Sequence, residues 1–131
     1  MKLLGRGLSG GIGSGHLLIT EQPLSFFGGV DPNNGSIIDR WHPLYGKSLK
    51  EVVLAMPKSK GSTVGSYVIY AVSRNKVAPS AIIIRDNDLI VASGCIVGHV
   101  PLVRLDPEKW TLLGSYEHAI VNGKEGYVEV G

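Results

Sequence analysis

The chain has 131 residues and a formal net charge of +2, from 13 basic and 11 acidic side chains; that length suits one domain, residues 1–131, with a modest core. The charge is spread without a basic tract, the opening apolar stretch is too short for a signal peptide, and no apolar run approaches the roughly 18 residues of a membrane span, so neither nucleic acid nor a membrane is an expected partner. Gly is the outlier at 18 residues, which without a fixed period reads as tight turns between strands, and the single Cys95 excludes an internal disulfide or a metal-binding thiolate cluster and fits a cytoplasmic protein.

In chain order, Leu3 to Gly15 predicts two short strands around the Gly10-Gly11 turn, running into Leu17-Leu18-Ile19 and stopped by Pro23. Residues 24–39 read as a loop followed by a short strand, with turn signals at Asp31-Pro32 and Asn34-Gly35. Arg40 to Lys47 reads as a polar loop. Val52 to Met56 is a short apolar run with a β-branched start, a buried strand ended by Pro57. The period then changes. Val64, Tyr67, Val68, Ala71 and Val72 form the apolar stripe of a helix, with Ser62 or Thr63 at its cap and Pro79 beyond its end. Ala81 to Ile84 is a buried strand, and Leu89 to Cys95 fits a strand or a short helix. Pro101 to Leu105 is a strand. Ala119-Ile120-Val121 and Tyr127 to Val130 are two more, with a hairpin signal at Asn122-Gly123.

Three segments carry candidate chemistry. In Pro57 to Ser66 a strand ends, a Gly/Ser loop follows and a helix begins. A helix start favours anions, so Gly61, Thr63 and Val64 are candidate anion binders through their amides, and Lys58 and Lys60 through their charge. Ser62 is the candidate base or nucleophile, provided its surroundings stabilise an alkoxide. The plain alternative is a capped helix after a flexible turn, and the loop lacks the spacing of a P-loop. In Ser25 to Pro32, Gly28 and Gly29 allow close approach of a substrate or another chain, while Phe26 and Phe27 anchor the loop. In Asp39 to Pro43, Asp39 and His42 could form an acid–base pair; the alternative is a polar turn with an exposed histidine. His16, His99 and His118 have no ligand spacing, Cys95 reads as buried packing, and Trp110 as core. No metal triad or carboxylate pair is recognisable, which favours a module whose site another chain completes.

The string PLSFFGGVDPNNGSIIDRWHPLYGKSL, followed by PKSKGSTVGSYVI, resembles the small, swivelling subunit of the aconitase X family over nearly the whole chain. The resemblance implies a strand-rich α/β fold, a swivelling β/β/α domain with few helices. It implies a heterodimer with a large catalytic subunit that carries an iron–sulfur cluster, [4Fe-4S] in type, with none bound by this chain. The implied activity is a hydro-lyase on a phosphorylated hydroxy acid, converting (R)-5-phosphomevalonate to trans-anhydromevalonate 5-phosphate. Ser62 matches the family's proposed proton acceptor. Lys60 stands where family members often have arginine, keeping the charge and losing the planar fork. Gly28, Gly29 and Asp31 are expected on the rim facing the large subunit, with a direct role for Asp31 or His42 open. For the phosphate, Lys58, Lys60, Arg74 and Arg6 are the candidate cations. A hydroxyproline dehydratase-type subunit keeps the fold and base with another substrate. A non-catalytic assembly module keeps only the fold.

Overall fold

The computed structural model describes residues 1–131. In chain order the elements are β1 Lys2–Leu4, β2 Arg6–Ser9, β3 Ile12–Ile19, β4 Val53–Met56, α1 Gly65–Arg74, β5 Ala81–Ile84, α2 Leu89–Gly98, β6 Leu102–Arg104, α3 Pro107–Thr111, a 3-10 turn Leu112–Ser115, β7 His118–Asn122 and β8 Tyr127–Val130.

The long strand β3 serves two neighbours. Its first half pairs antiparallel with β7, from Ile12↔Asn122 to His16↔His118, and its second half pairs parallel with β4, from Leu17↔Val53 to Ile19↔Ala55. β5 and β6 add in parallel beyond β4, and β2 runs antiparallel to β6. On the other side β8 and then β1 continue the antiparallel half. The order is therefore β1-β8-β7-β3-β4-β5-β6-β2. Its two ends, β1 and β2, are consecutive in the chain with Gly5 alone between them, so the sheet closes on itself. At the closure backbone meets backbone. A Cβ on Gly7 would lie 2.0 Å from the Gly123 carbonyl oxygen, and one on Gly123 would lie 1.8 Å from the Ser9 carbonyl oxygen. No other residue fits either position.

Two cores result. Val53, Ala55, Ala81, Ile83 and Val103 face the antiparallel half, where Val121, Val128, Trp110 and Leu113 meet them. Leu54, Met56, Ile82, Ile84 and Leu102 face the other way, against Ile69 and Val72 of α1, Val91 and Cys95 of α2, and Leu24, Phe26 and Ile37 of the long β3–β4 connection. The central strands are buried on both faces, which is why they read as unbroken apolar runs. Because β4, β5 and β6 are sequential neighbours joined by crossovers of one hand, both helices cover one face. The layers are β/β/α, as the resemblance implied.

Two local expectations need correction, one open alternative is resolved in favour of helix, and one helix was not expected. The first stretch forms three strands, because the chain turns from β8 to β6 as its partner at Gly5. The strand expected within residues 24–39 is reduced to isolated bridges, Val30↔Ile37 and Ser36↔Ser48, because turns at Asp31 and Asn34 leave no run to pair. Leu89 to Cys95 is helical. Asp88 caps it, and its period was hidden because Leu89, Ile96 and Val97 make the outer face apolar too. The helix α3 went unpredicted, although Asp106 before Pro107 is a readable start signal: its carboxylate accepts from the Lys109 amide.

The closure is testable by substitution. Gly123→Ala should lower unfolding stability by about 3 kcal/mol through backbone displacement, whereas Gly10→Ala, which meets nothing within 4 Å, should change it by less than about 0.5 kcal/mol. Chemical denaturation of both variants checks the contrast.

Candidate active site

In sheets with parallel strands, ligands bind outside the carboxyl ends of those strands. At that edge stand the loop after β4 (Lys58 to Val64), the loop after β5 (Arg85 to Asp88), the end of β6 at Arg104, and the start of β2 at Arg6, which pairs directly with Arg104. Two of the segments singled out from the sequence meet here. Leu24 bridges Ser59 in parallel, the Lys60 amide donates to the Leu24 carbonyl at 3.2 Å, and a Cβ on Gly61 would lie 3.1 Å from Ser25 Oγ. The Ser25–Gly28 turn therefore runs alongside the Gly/Ser loop, with Phe26 buried as its anchor and Phe27 exposed.

Asp88 holds the loop in place, and the sequence reading passed over it. Its Oδ1 accepts from the amides of Ile90 and Val91 at 2.9 and 3.0 Å, capping α2. Its Oδ2 accepts from both the amide and the hydroxyl of Ser59, each at 2.7 Å. One carboxylate thus ties the loop after β4 to the helix after β5. The available signal was an Asp immediately before an apolar run.

The helix start differs from the expectation. Val64 is the N-cap residue of α1, without a side-chain cap. Ser62 Oγ instead accepts the Val64 amide at 3.1 Å, and the amides of Gly65, Ser66 and Tyr67 donate to the carbonyls of Ser62, Thr63 and Val64. Val64 therefore serves Ser62 rather than an external anion. The free donors are earlier: the amides of Gly61, Ser62 and Thr63 make no hydrogen bond within the chain. Gly61 has φ +92°. A left-handed residue among successive free amides forms an anion-binding concavity. Ser62, Thr63, Lys58 and Lys60 are all exposed around it.

Beyond the loop, Arg85 pairs with Asp86 at 2.9 and 3.2 Å and lies over the Trp110 ring at 5.8 Å. The hydrogen bond from Arg85, with the charges of Arg85, Lys58 and Arg104 behind it, holds the Asp86 carboxyl below its ordinary value. Asp86 is thus an ionised partner for its cations at neutral pH.

The other sequence candidates take structural roles. Asp31 accepts from the Asn33 amide at 2.9 Å and shapes a turn. The Asp39 carboxylate accepts from the Trp41 amide at 3.0 Å and makes no hydrogen bond to the His42 ring; the two residues meet only through the main chain, where the His42 amide donates to the Asp39 carbonyl at 3.1 Å. His42 is buried, against the exposed histidine expected: its Nδ1 accepts from the Leu44 amide at 3.1 Å and its Nε2 faces the Gln22 carbonyl at 3.3 Å. Gly29 is packed where a Cβ would lie 2.1 Å from the Ser25 carbonyl oxygen, while Gly28 is open to solvent with φ +81°. Arg74 ends α1, ten residues long, and so lies about 15 Å along the axis from the loop. It cannot serve the same anion. Burial, with the Asp88 charge behind it, pushes the Cys95 thiol well up. No three His, Cys, Asp or Glu side chains gather as a metal site, and no helix is long and apolar enough to cross a membrane. The largest cleft, about 360 Å³, lies on β3, β7 and β8 and includes none of the loop residues.

Comparison with known proteins fits this geometry. A profile of the aconitase X swivel domain matches residues 2–130. The chain belongs to that family. It is 47% identical over 131 residues to the phosphomevalonate dehydratase small subunit of Thermococcus onnurineus, covering 99% of this chain and 98% of that one. It is 44% identical to the protein of the same name from Methanosarcina mazei, covering 99% of this chain and 91% of that one. The crystal structure of Thermococcus kodakaraensis aconitase X in its holo-form superimposes with a TM-score of 0.86 at 36% identity, covering 100% of this chain and 98% of that chain.

Two outcomes follow from the geometry. Asp88→Asn places an N–H against donors, so unfolding stability should fall by about 1 kcal/mol and the Ser59 amide should exchange faster with solvent; unchanged protection would mean that the Leu24 bridge alone holds the loop. Cys95 should react with a thiol reagent only as fast as the fold opens, measurable by comparing native and denatured labelling rates.

Proposed function

We propose that this chain is the small, swivelling subunit of a heteromeric hydro-lyase that dehydrates (R)-5-phosphomevalonate to trans-anhydromevalonate 5-phosphate, with Ser62 as the proton acceptor. The observation that carries the reading is the 47% identity, over nearly the full length of both chains, to a phosphomevalonate dehydratase small subunit. The geometry at the carboxyl edge supports it. Dehydration next to a carboxylate needs a base at the adjacent carbon and donors for the charge that builds on the carboxylate. The Ser62 hydroxyl is exposed at the loop and already receives the Val64 amide, a donor that favours the alkoxide over the alcohol. The neighbouring amides of Gly61 and Thr63 and the Lys60 ammonium supply further positive potential.

In the step itself, Ser62 Oγ takes the proton from the carbon beside the carboxylate. The electron pair left behind closes the double bond, and the β-hydroxyl departs to be protonated as water. The carboxylate lies against the free amides, which hold the C–H bond over Ser62. The leaving-group side belongs with the large subunit. The iron–sulfur cluster implied by the family belongs there as well, because this chain does not fit it: its one thiol is buried in the core and no ligand group gathers. The outer helix faces support a partner. Tyr67 and Tyr70 of α1 and Val97 of α2 are exposed and line one cleft between the helices, Ile96 of α2 is exposed as well, and a helix that is apolar all round is normally covered on both faces.

Ser62→Ala, assayed with the large subunit under anaerobic conditions, should lower turnover about 10²–10⁴-fold while assembly and unfolding stability stay near wild type. Normal turnover would reduce Ser62 to a turn-former and this chain to an assembly module. A wild-type complex that is intact but inactive on 5-phosphomevalonate, and active on a hydroxyproline, would keep the base and replace the substrate.

A further inference from the structure

Arg6 and Arg104 stand directly opposite each other on the antiparallel strands β2 and β6. Like charges in that position repel and destabilise the pair. Neither guanidinium has an internal acceptor. The chain's two ion pairs are Arg85–Asp86 and Lys109–Asp106. The nearby carboxylates are already committed: both oxygens of Asp86 accept from Arg85, and both oxygens of Asp88 accept from backbone amides and Ser59. Most telling, Arg104 Nε is buried and has no hydrogen-bond partner. A buried, charged donor without an acceptor is costly unless a ligand completes it. Arg6 lines a cleft of about 280 Å³ together with Leu8, Asn87, Asp88, Leu89 and Ala92, and Arg104 stands opposite it on the paired strand.

We propose that Arg104 and Arg6 form the phosphoryl subsite of this chain, taking the phosphate of the substrate while the Gly61–Thr63 amides take its carboxylate. Two arginines on directly paired residues suit a tetrahedral oxyanion with acceptors in several directions, and each guanidinium can bind bidentately. The start of α2 does not compete for the phosphate, since Asp88 already caps it. Position agrees as well. Arg104 ends β6, which lies two strands, about 10 Å, from β4, the strand that leads into the Ser62 loop. An extended five-carbon acid phosphate spans such a gap with a charged group at either end. The subsite rests on the phosphorylated-substrate reading, and it moves the phosphate away from Lys58 and Lys60 in the loop.

The test uses the assembled complex carrying Arg6→Met, Arg104→Met or Arg104→Lys. Arg6 is exposed, so its variant keeps the measurement alive even where an Arg104 variant folds poorly. Expected is a KM for 5-phosphomevalonate raised about 10- to 100-fold per arginine, equivalent to about 1.4–2.8 kcal/mol, with kcat within a few-fold. The preference for the phosphorylated over the unphosphorylated acid should shrink by the same factor, and calorimetric titration with inorganic phosphate should weaken in parallel. Unchanged KM and phosphate affinity, in a complex that still turns over 5-phosphomevalonate, would overturn the subsite and leave the functional reading intact. Loss of assembly at unchanged phosphate affinity would also overturn it, and assign the arginines to a carboxylate of the large subunit. Should the wild-type complex fail on 5-phosphomevalonate, the functional reading falls, and the phosphate titration alone decides the subsite: binding that the arginine variants abolish keeps it, and binding they leave unchanged removes it.

Discussion

The sheet can close only where backbone lies against backbone. β1 and β2 are one stretch of chain that changes partner at Gly5, pairing first with β8 and then with β6. For that change to bring the two halves together, Gly7 must touch the β7–β8 turn and Gly123 must touch Ser9, with no room for a Cβ at either contact. Everything else is arranged by this closure. It traps one core between the halves, leaves the other face of the parallel strands for the helices, and brings the start of β2 to the edge where β4, β5 and β6 end.

That edge concentrates charge that the interior does not neutralise. Lys58 and Lys60 of the loop after β4, Arg104 of β6 and Arg6 of β2 stand at it, while Asp86 is paired with Arg85 and Asp88 spends its oxygens on Ser59 and the first turn of α2. The Asp88 carboxylate is the mechanical element: by holding Ser59 and the first turn of α2 together, it sets where the Gly61–Thr63 amides point. A proton acceptor at Ser62 depends on that rigidity, because its alkoxide is stabilised only by donors already in position. The proposed substrate, anionic at both ends, and a partner chain would complete a positive edge beside uncovered apolar helix faces.

Several elements were legible along the chain because their signals are local. The i, i+3, i+4 spacing from Val64 to Val72 marked α1, the unbroken apolar runs marked β4 and β5, and the last two strands were found around their turn, although the left-handed residue there is Gly126 rather than Gly123. Signals failed where burial was two-sided or pairing was distant. The helix α2 lost its period because its outer face is apolar, and α3 is too short to show one. His42 looked exposed among polar neighbours, yet it is buried, with its Nε2 against the Gln22 carbonyl twenty residues earlier. Ser62 stood out because a serine in a glycine loop before a helix is a local pattern. Asp88 and the Arg6–Arg104 pair did not, because their meaning lies in residues far away in the chain.

The sequence by itself determined the strand-rich composition, the Gly/Ser loop with its helix, the lack of thiol ligands and the likeness to the aconitase X swivel domain. These reside in residue types and short spacings, which the chain carries before it folds. The tertiary structure alone decided the strand order, the closure at Gly7 and Gly123, the placing of the unpaired amides in the Gly61–Thr63 loop rather than at the helix start, and the meeting of Arg6 with Arg104. Each of these is a contact between segments distant along the chain, and such contacts exist only once burial of the two cores has fixed which strands are neighbours.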